Sequence, residues 1–279
     1  VGVRVVTDSS CDLPVDRAQE LGIEIVPLTI RFGSKEYVDR VELTNEEFWR
    51  KVATSDVLPE TAAPSPGAFE ERFRRLAEEG ADGIVCINLS SRLSATMQAA
   101  QLAAKALKGT CPVEVVDSLS VSMALGLQCI NAVNLAAGGA DVDAIARAAE
   151  DQALRTRLFG ALDTLEHLRR GGRIGAAQAL LGGVLSIKPV IEVRDGAVAE
   201  AGKVRTRSKS LRLLADKVAQ AAKAEQIFAF DAQAPDIDEL VDMLSATVPR
   251  DQIEFGTIGP VIGTHAGPRT IGVGWVDGR

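Results

Sequence analysis

Aromatic residues make up only 4% of the 279 residues, and cysteine occurs four times. Cys11, Cys86, Cys111 and Cys129 are scattered with no Cys-x-x-Cys spacing. That pattern argues against a disulfide framework or a zinc site and suits a reducing cytosol. Cys86 falls in an apolar strand and Cys129 in an apolar helix, where free thiols behave as small hydrophobes. Positive charge is also in short supply. The net charge is −7, whereas proteins that bind nucleic acid through bulk electrostatics carry a basic face. No basic recognition helix is seen either, so a DNA-binding regulator is set aside. Long uncharged apolar runs are missing too. The most apolar stretch, Leu119 to Ala137, contains Ser120, Ser122, Gln128, Asn131 and Asn134, and it reads as a buried or half-buried helix, not a membrane span. Val1 to Val6 enters a strand-like segment interrupted by Arg4, without a signal-peptide pattern. The expectation is a soluble, cytoplasmic protein with no stable membrane insertion. No internal repeat, low-complexity tract or long linker stands out.

Hydrophobic residues account for 46% of the chain, enough for a sizeable core and for two modest domains. The first half alternates strand and helix signals. A strand at Arg4 to Thr7 precedes a helix from about Pro14, and Ile23 to Ile30 reads as a second strand with an irregularity at Pro27. Helices follow from Thr44 and over Ala68 to Glu79, then a strand at Ile84 to Leu89 and a helix. A strand at Val113 to Val116 leads to two helices ending near residue 158. Such alternation predicts a parallel sheet with helices on both faces. The second half has helical stretches at Asp163 to Arg170 and Ala176 to Leu181. Two strands, Leu185 to Val193 and Ala197 to Val204, are joined by hairpin chemistry at Arg194-Asp195-Gly196. A helix over Ser208 to Ala224, a strand at Ile227 to Phe230 and a helix at Ile237 to Leu244 come next. Strands around Ile253, Val261 and Ile271 close the chain. A tight turn between strands predicts a mixed sheet, and the boundary is placed near residue 150, giving α/β domains over 1–150 and 151–279.

The most informative segment runs from Ala81 to Lys105. A strand breaks at Ser90-Ser91-Arg92 and becomes a helix, leaving unpaired N–H groups and the positive end of a dipole at the turn. That arrangement suits a small anion, although Ser91 or Ser94 as a plain helix cap is the simpler reading. Two other polar segments stand out: Glu60-Thr61-Ala62-Ala63-Pro64-Ser65-Pro66 and Gly263-Thr264-His265-Ala266-Gly267-Pro268-Arg269. All three read as loops, where functional groups sit on a rigid scaffold.

Together with Thr7-Asp8-Ser9-Ser10, Val116-Asp117-Ser118, Arg170-Gly171-Gly172-Arg173-Ile174, Ile187-Lys188-Pro189, Val204-Arg205-Thr206 and Gly272-Val273-Gly274, these segments resemble the DegV family. The resemblance spans nearly the whole chain and implies a two-domain DegV-like α/β fold that binds a long-chain fatty acid. Several members serve as the acyl-binding subunit of bacterial fatty acid kinase, in phospholipid metabolism. It implies that Thr61, Ser94 and His265 surround the carboxylate, with the amides near Ala62 and Ala95 adding donors. It also implies that Arg173 engages the separate kinase, Arg205 being a second candidate. No cofactor, metal or catalytic residue is implied. The sequence departs from the family in three places. Thr-Ser-Gln-Pro is Thr61-Ala62-Ala63-Pro64, Ser-Gly-Thr is Ser94-Ala95-Thr96, and His-Thr-Gly-Pro-Gly is His265-Ala266-Gly267-Pro268-Arg269. The last change puts in question a positive φ at residue 269 and brings a guanidinium near the head group.

Other readings stand beside this one. Thr61 suits plain turn chemistry, His265 a structural histidine, and Arg169, Arg170 and Arg173 a solvated face. His167, among charged neighbours, is expected to be exposed. A hydrolase with Ser94 as nucleophile and His265 as base is the rival from another class, but no Gly-x-Ser-x-Gly elbow is present. Gly196 to Val204 only grazes a P-loop, so the chain is not itself read as the kinase.

Overall fold

The computed structural model describes residues 2–182 and 187–279. The chain divides into two compact units, Val1–Leu154 and Arg155–Arg279.

The first unit contains β1 (Val3–Asp8), α1 (Val15–Glu20), β2 (Glu24–Val26), β3 (Thr29–Phe32), β4 (Lys35–Val38), α2 (Asn45–Thr54) and β5 (Glu60–Ala62). It continues with α3 (Pro66–Glu78), β6 (Gly83–Asn88), α4 (Thr96–Ala106), β7 (Val113–Asp117), α5 (Ser122–Ala137) and α6 (Val142–Arg155). A parallel sheet of order β2-β1-β6-β7 forms its centre. The apolar stripe Phe69, Phe73 and Leu76 of α3 packs with Ala99, Ala100 and Ala103 of α4 on Val6, Ile84 and Cys86. The helix α5 lies against β1 and β6. All four cysteines are free and buried.

The strand expected over Ile23 to Ile30 is two strands in different sheets. Thr7 pairs with Ile25 in the parallel sheet, whereas β3 pairs antiparallel with β4 and β5. Pro27 lies between them, and without an N–H it cannot continue a ladder. No residue pattern announces the small β4-β3-β5 sheet, whose strands have only three or four residues.

The second unit contains β8 (Thr156–Ala161), α7 (Glu166–Arg170), a 3₁₀ segment at Gly175–Gly182, β9 (Lys188–Arg194), β10 (Ala197–Val204) and α8 (Arg207–Ala219). After these come β11 (Ala224–Asp231), α9 (Ile237–Ser245), β12 (Ile253–Thr257), α10 (Pro260–Ala266) and β13 (Ile271–Asp277). Its sheet has the order β10-β9-β8-β13-β11-β12. Only β11 and β12 run parallel, so the sheet is mixed as expected. Leu211, Leu214 and Val218 of α8 and Leu240 and Leu244 of α9 pack on Phe159, Val273 and Trp275. Asp195 and Gly196 take φ of 50° and 76°, the left-handed pair that a two-residue hairpin with the correct twist needs.

Several boundaries move. The helix expected to reach residue 158 ends at Arg155, because Thr156 to Ala161 pairs with β13 and β9. The limit expected near residue 150 lies inside α6, a few residues before the division at Leu154 and Arg155. Ala176 to Leu181 lies in the 3₁₀ segment, not an α-helix. The helix α8 stops at Ala219, and β11 begins at Ala224. Leu185 and Ser186, the start of one expected strand, lie outside the described residues. The strand expected at Val261 is the helix α10. Pro260 occupies its first turn, where a fixed φ and a missing N–H cost nothing, and that outweighs the β-branched pair Val261-Ile262.

Phe73 is fully buried and its ring centroid lies 6.0 Å from that of Phe69. Phe73→Ala is expected to cost about 3–5 kcal/mol, read as a lower urea midpoint with little change in the slope.

Candidate head-group site

In the first unit, the C-terminal ends of β1 and β6 meet at a buried carboxylate. Asp8 accepts hydrogen bonds from Ser10 Oγ (2.5 Å), Ser10 N (3.1 Å), Asn88 Nδ2 (3.1 Å) and Leu89 N (2.9 Å). Burial raises its pKa, and these four donors oppose the rise. The bond from Leu89 N fixes where the chain leaves β6. Ser90 N then donates to Ser120 O (2.9 Å), and Ser94 N to Ser90 O (3.2 Å). Ser91 does not cap α4: its hydroxyl donates to Asp117 Oδ2 at 2.5 Å.

Ser94 is half-buried, with Oγ 2.9 Å from Thr96 Oγ1 and accepting from Thr96 N at 3.3 Å. It therefore supports the first turn of α4 from one residue before the N-cap, and neither serine is the cap that the simpler reading expected. A hydroxyl that accepts through one lone pair still has its proton to donate. Ala95, at the N-cap, is exposed. Thr61 is not in a loop. It is the half-buried central residue of β5, opposite Ile30, and Ala62 beside it is exposed. Because β5 is an edge strand, alternate backbone N–H groups point away from its partner.

In the second unit, α7 and α10 pack together, and two histidines interlock them. His265 is not in a loop either; it lies in the last turn of α10. Its ring sits so close to Gly171 that a Cβ there would lie 2.3 Å from Nδ1. His167 is half-buried, not exposed as expected. Its Nδ1 lies 3.3 Å from Thr264 O, and a Cβ on Gly267 would lie 2.6 Å from its Cδ2. Each glycine thus makes room for the other helix's imidazole. Burial, then Arg173, then His167 push the His265 pKa down to about 4. His265 is a neutral imidazole at pH 7, with one N–H to donate.

Arg173 follows Gly172, whose φ is 69°. Its side chain does not extend into solvent. It is half-buried and folds back so that Nη1 donates to Gly171 O at 2.6 Å. Arg169 and Arg170 differ from it, since both pair with Glu166 on the surface. Arg205 is exposed in the bend between β10 and α8.

Arg269 has a φ of 60°, so the residue that replaces the expected glycine adopts the left-handed conformation itself. Its backbone N donates to Ala232 O at 2.8 Å. Its Nε lies 3.2 Å from Asp163 Oδ2, while Lys188 Nζ lies 2.8 Å from Asp163 Oδ1. Sequence reasoning assigned no role to Asp163 or His167, and nothing local distinguishes either from a surface residue. Among the described residues, no group of three His, Cys, Asp or Glu side chains is placed to hold a metal ion. No described helix is long and apolar enough to cross a membrane.

Two layered units, one parallel and one mixed, with hydroxyl and imidazole groups at the ends of strands and helices, define the class. The DegV family model, described as an uncharacterised protein of that family, matches residues 2–278. The chain belongs to the DegV family. A DegV domain-containing protein of Streptomyces coelicolor is 38% identical over 275 residues, covering 97% of each chain. A fatty-acid-binding DegV family protein from Thermus thermophilus has a structure matching at TM-score 0.90 and 33% identity, over 99% of this chain and 100% of that one. DegV of Bacillus subtilis, a fatty acid binding protein, matches at TM-score 0.85 and 27% identity over 99% of both chains.

The displaced His265 pKa has a sign that can be tested. Because its folded value of about 4 lies below the ordinary 6.5, the folded state resists protonation that the unfolded chain accepts. Stability is complete above about pH 6.5 and is lost as pH falls toward about 4, by at most about 3 kcal/mol. An NMR titration of the His265 ring should show no protonation at pH 6. His265→Gln should flatten the stability profile over that window.

Proposed function

We propose that this protein binds a long-chain fatty acid in an apolar tunnel and presents its carboxylate to a separate kinase. The whole-length likeness to the fatty-acid-binding protein of Thermus thermophilus carries this reading. In it, the hydroxyls of Thr61 and Ser94, the imidazole N–H of His265 and the amides near Ala62 and Ala95 donate to the carboxylate. A carboxylate removed from water costs several kcal/mol unless hydrogen-bonded, and neutral donors suffice if there are enough of them. The neutral state of His265 supports its part. Burial of the acyl chain contributes about 0.8 kcal/mol per CH₂, on the order of 10 kcal/mol for a long tail, less the cost of association and ordering.

The onward step belongs to the kinase. A carboxylate oxygen attacks the γ-phosphorus of ATP, ADP leaves, and an acyl phosphate forms for cytoplasmic phospholipid synthesis. Arg173 supports this reading by its position, close enough to His265 to lower its pKa, so a partner that engages Arg173 arrives beside the head group. Arg205, exposed in the same unit, is the second candidate for the partner. The hydrolase alternative asks His265 to accept a proton near neutral pH. A base with a pKa of about 4 is poorly matched to that task.

Organic extraction and mass spectrometry of purified recombinant protein should find about one long-chain fatty acid per chain. Ligand-free protein that takes up neither palmitate nor oleate would sink the reading. Thr61→Ala and Ser94→Ala should each weaken retention by about 1.5–3 kcal/mol, the usual loss for a hydrogen bond to a charged acceptor.

Arg173→Gln should keep the lipid and lower acyl-phosphate yield with a matching kinase by roughly tenfold or more, as for a desolvated charge at an interface. Glutamine is preferred to glutamate because a new negative charge beside His265 would disturb the head group itself. Unchanged yield would place the kinase on another surface.

A further inference from the structure

At one end of the second unit's sheet, three adjacent strands bring together three charged residues. Asp163 follows the end of β8, Lys188 opens β9, and Arg269 comes two residues before β13. The pairing of Ala161 with both Val190 and Ile271 puts them at the same end. The Asp163 carboxylate is shared, with Oδ1 on Lys188 Nζ and Oδ2 on Arg269 Nε. Two cations on one anion leave a net positive charge. Toward β11, Asp236 feels the Arg269 charge but is neutralised chiefly by Arg207. Asp236 is held by the Arg207 guanidinium through two bonds of 2.7 and 2.9 Å, and Asp231 accepts from Ala234 N at 2.7 Å.

The Arg269 side chain is about half exposed, and its Nε is the atom nearest Asp163. Among the described residues, its two terminal nitrogens donate no hydrogen bond, although Asp236 lies within its electrostatic reach. A guanidinium in that state presents a two-pronged fork of the kind that matches a phosphoryl group, and a nearby lysine adds a point charge. The backbone keeps this fork in place, since Arg269 N is fixed to Ala232 O. His265 lies four residues before it, in the helix that leads into β13.

We propose that Arg269 and Lys188, bridged by Asp163, form a subsite for the phosphoryl group of the phosphorylated acyl ligand. This rests on the fatty-acid reading and extends it. A carboxylate carries one negative charge and is served by neutral donors. Its acyl phosphate carries about two, spread over three further oxygens, and calls for cations. Binding at the subsite makes and breaks no covalent bond. It gives this chain a preference for the phosphorylated head group that a glycine at residue 269 would not supply.

The test compares two ligands on protein freed of lipid: palmitate and 2-oxoheptadecylphosphonate, an acyl phosphate in which CH₂ replaces the bridging oxygen. Arg269→Gly suits the purpose because glycine takes a φ of 60° without strain, and an unchanged thermal midpoint confirms the fold. Calorimetry should show phosphonate binding weakened roughly tenfold or more, as expected for lost charge-assisted bonds, with palmitate affinity within about twofold of the parent. Lys188→Met should act in the same direction, and the salt dependence of phosphonate binding should flatten in both variants. Equal weakening of both ligands, or phosphonate binding that does not change, overturns the subsite. Displacement of the phosphonate by ADP also overturns it, by assigning the charges to a nucleotide. Palmitate uptake without selectivity removes only this inference, whereas a parent that takes up neither ligand removes the fatty-acid reading with it.

Discussion

The first unit depends on a buried carboxylate satisfied without a cation bonded to it. Asp8 is fully buried, and its hydrogen bonds come from one hydroxyl, one side-chain amide and two backbone N–H groups. Removing such a group from water is expensive, and each donor offsets part of the cost. The geometry has a second effect. Because the donors come from the ends of two neighbouring strands, Asp8 ties the exit of β1 to the exit of β6. The turn carrying Ser90, Ser91 and Ser94 starts from that fixed point. The proposed treatment of a fatty-acid carboxylate by hydroxyls, amides and a neutral imidazole follows the same physical solution.

In the second unit the corresponding constraint is steric. His167 and His265 stand on different helices, each packed where the other helix carries a glycine. No larger residue fits at Gly171 or Gly267 without moving a ring. This packing excludes water from His265, and exclusion of water is the largest cause of its low pKa. Arg173 adds to the effect, although an exposed arginine would be screened. Folding back onto Gly171 O keeps its charge close to the imidazole. Packing and protonation state are therefore one feature, not two.

The layer architecture was legible because it rests on long, regular signals. The stripe of Phe69, Phe73 and Leu76, the apolar run Ile84 to Leu89 and the Asp195-Gly196 turn each point one way. Misreadings cluster where a short-range signal competes with a tertiary one. Ile23 to Ile30 has uniform strand composition, and only Pro27 reveals that the chain changes sheets there. Val261 and Ile262 have strand propensity, but Pro260 and the packing of α10 on α7 prevail. Thr61, Ser94 and His265 are proposed from motifs, not from periodicity. The Asp163 bridge was invisible, since its three members are 25 and 81 residues apart and meet only through strand order.

The placement of Arg269 bears on reactivity. A guanidinium paired with the fatty-acid carboxylate would bind it more tightly, yet it would also withdraw charge from the oxygen that must attack phosphorus. Stabilising the ground state in that way raises affinity without lowering the barrier. Neutral donors bind the carboxylate less strongly and leave it a better nucleophile. By pairing with Asp163, Arg269 has its charge partly neutralised and its Nε engaged. Negative charge grows on the ligand only when the phosphoryl group arrives, and that is when a cation at this position gains the most. Under the proposed reading, a glycine-to-arginine change would therefore shift preference from substrate toward product, at a cost in product release.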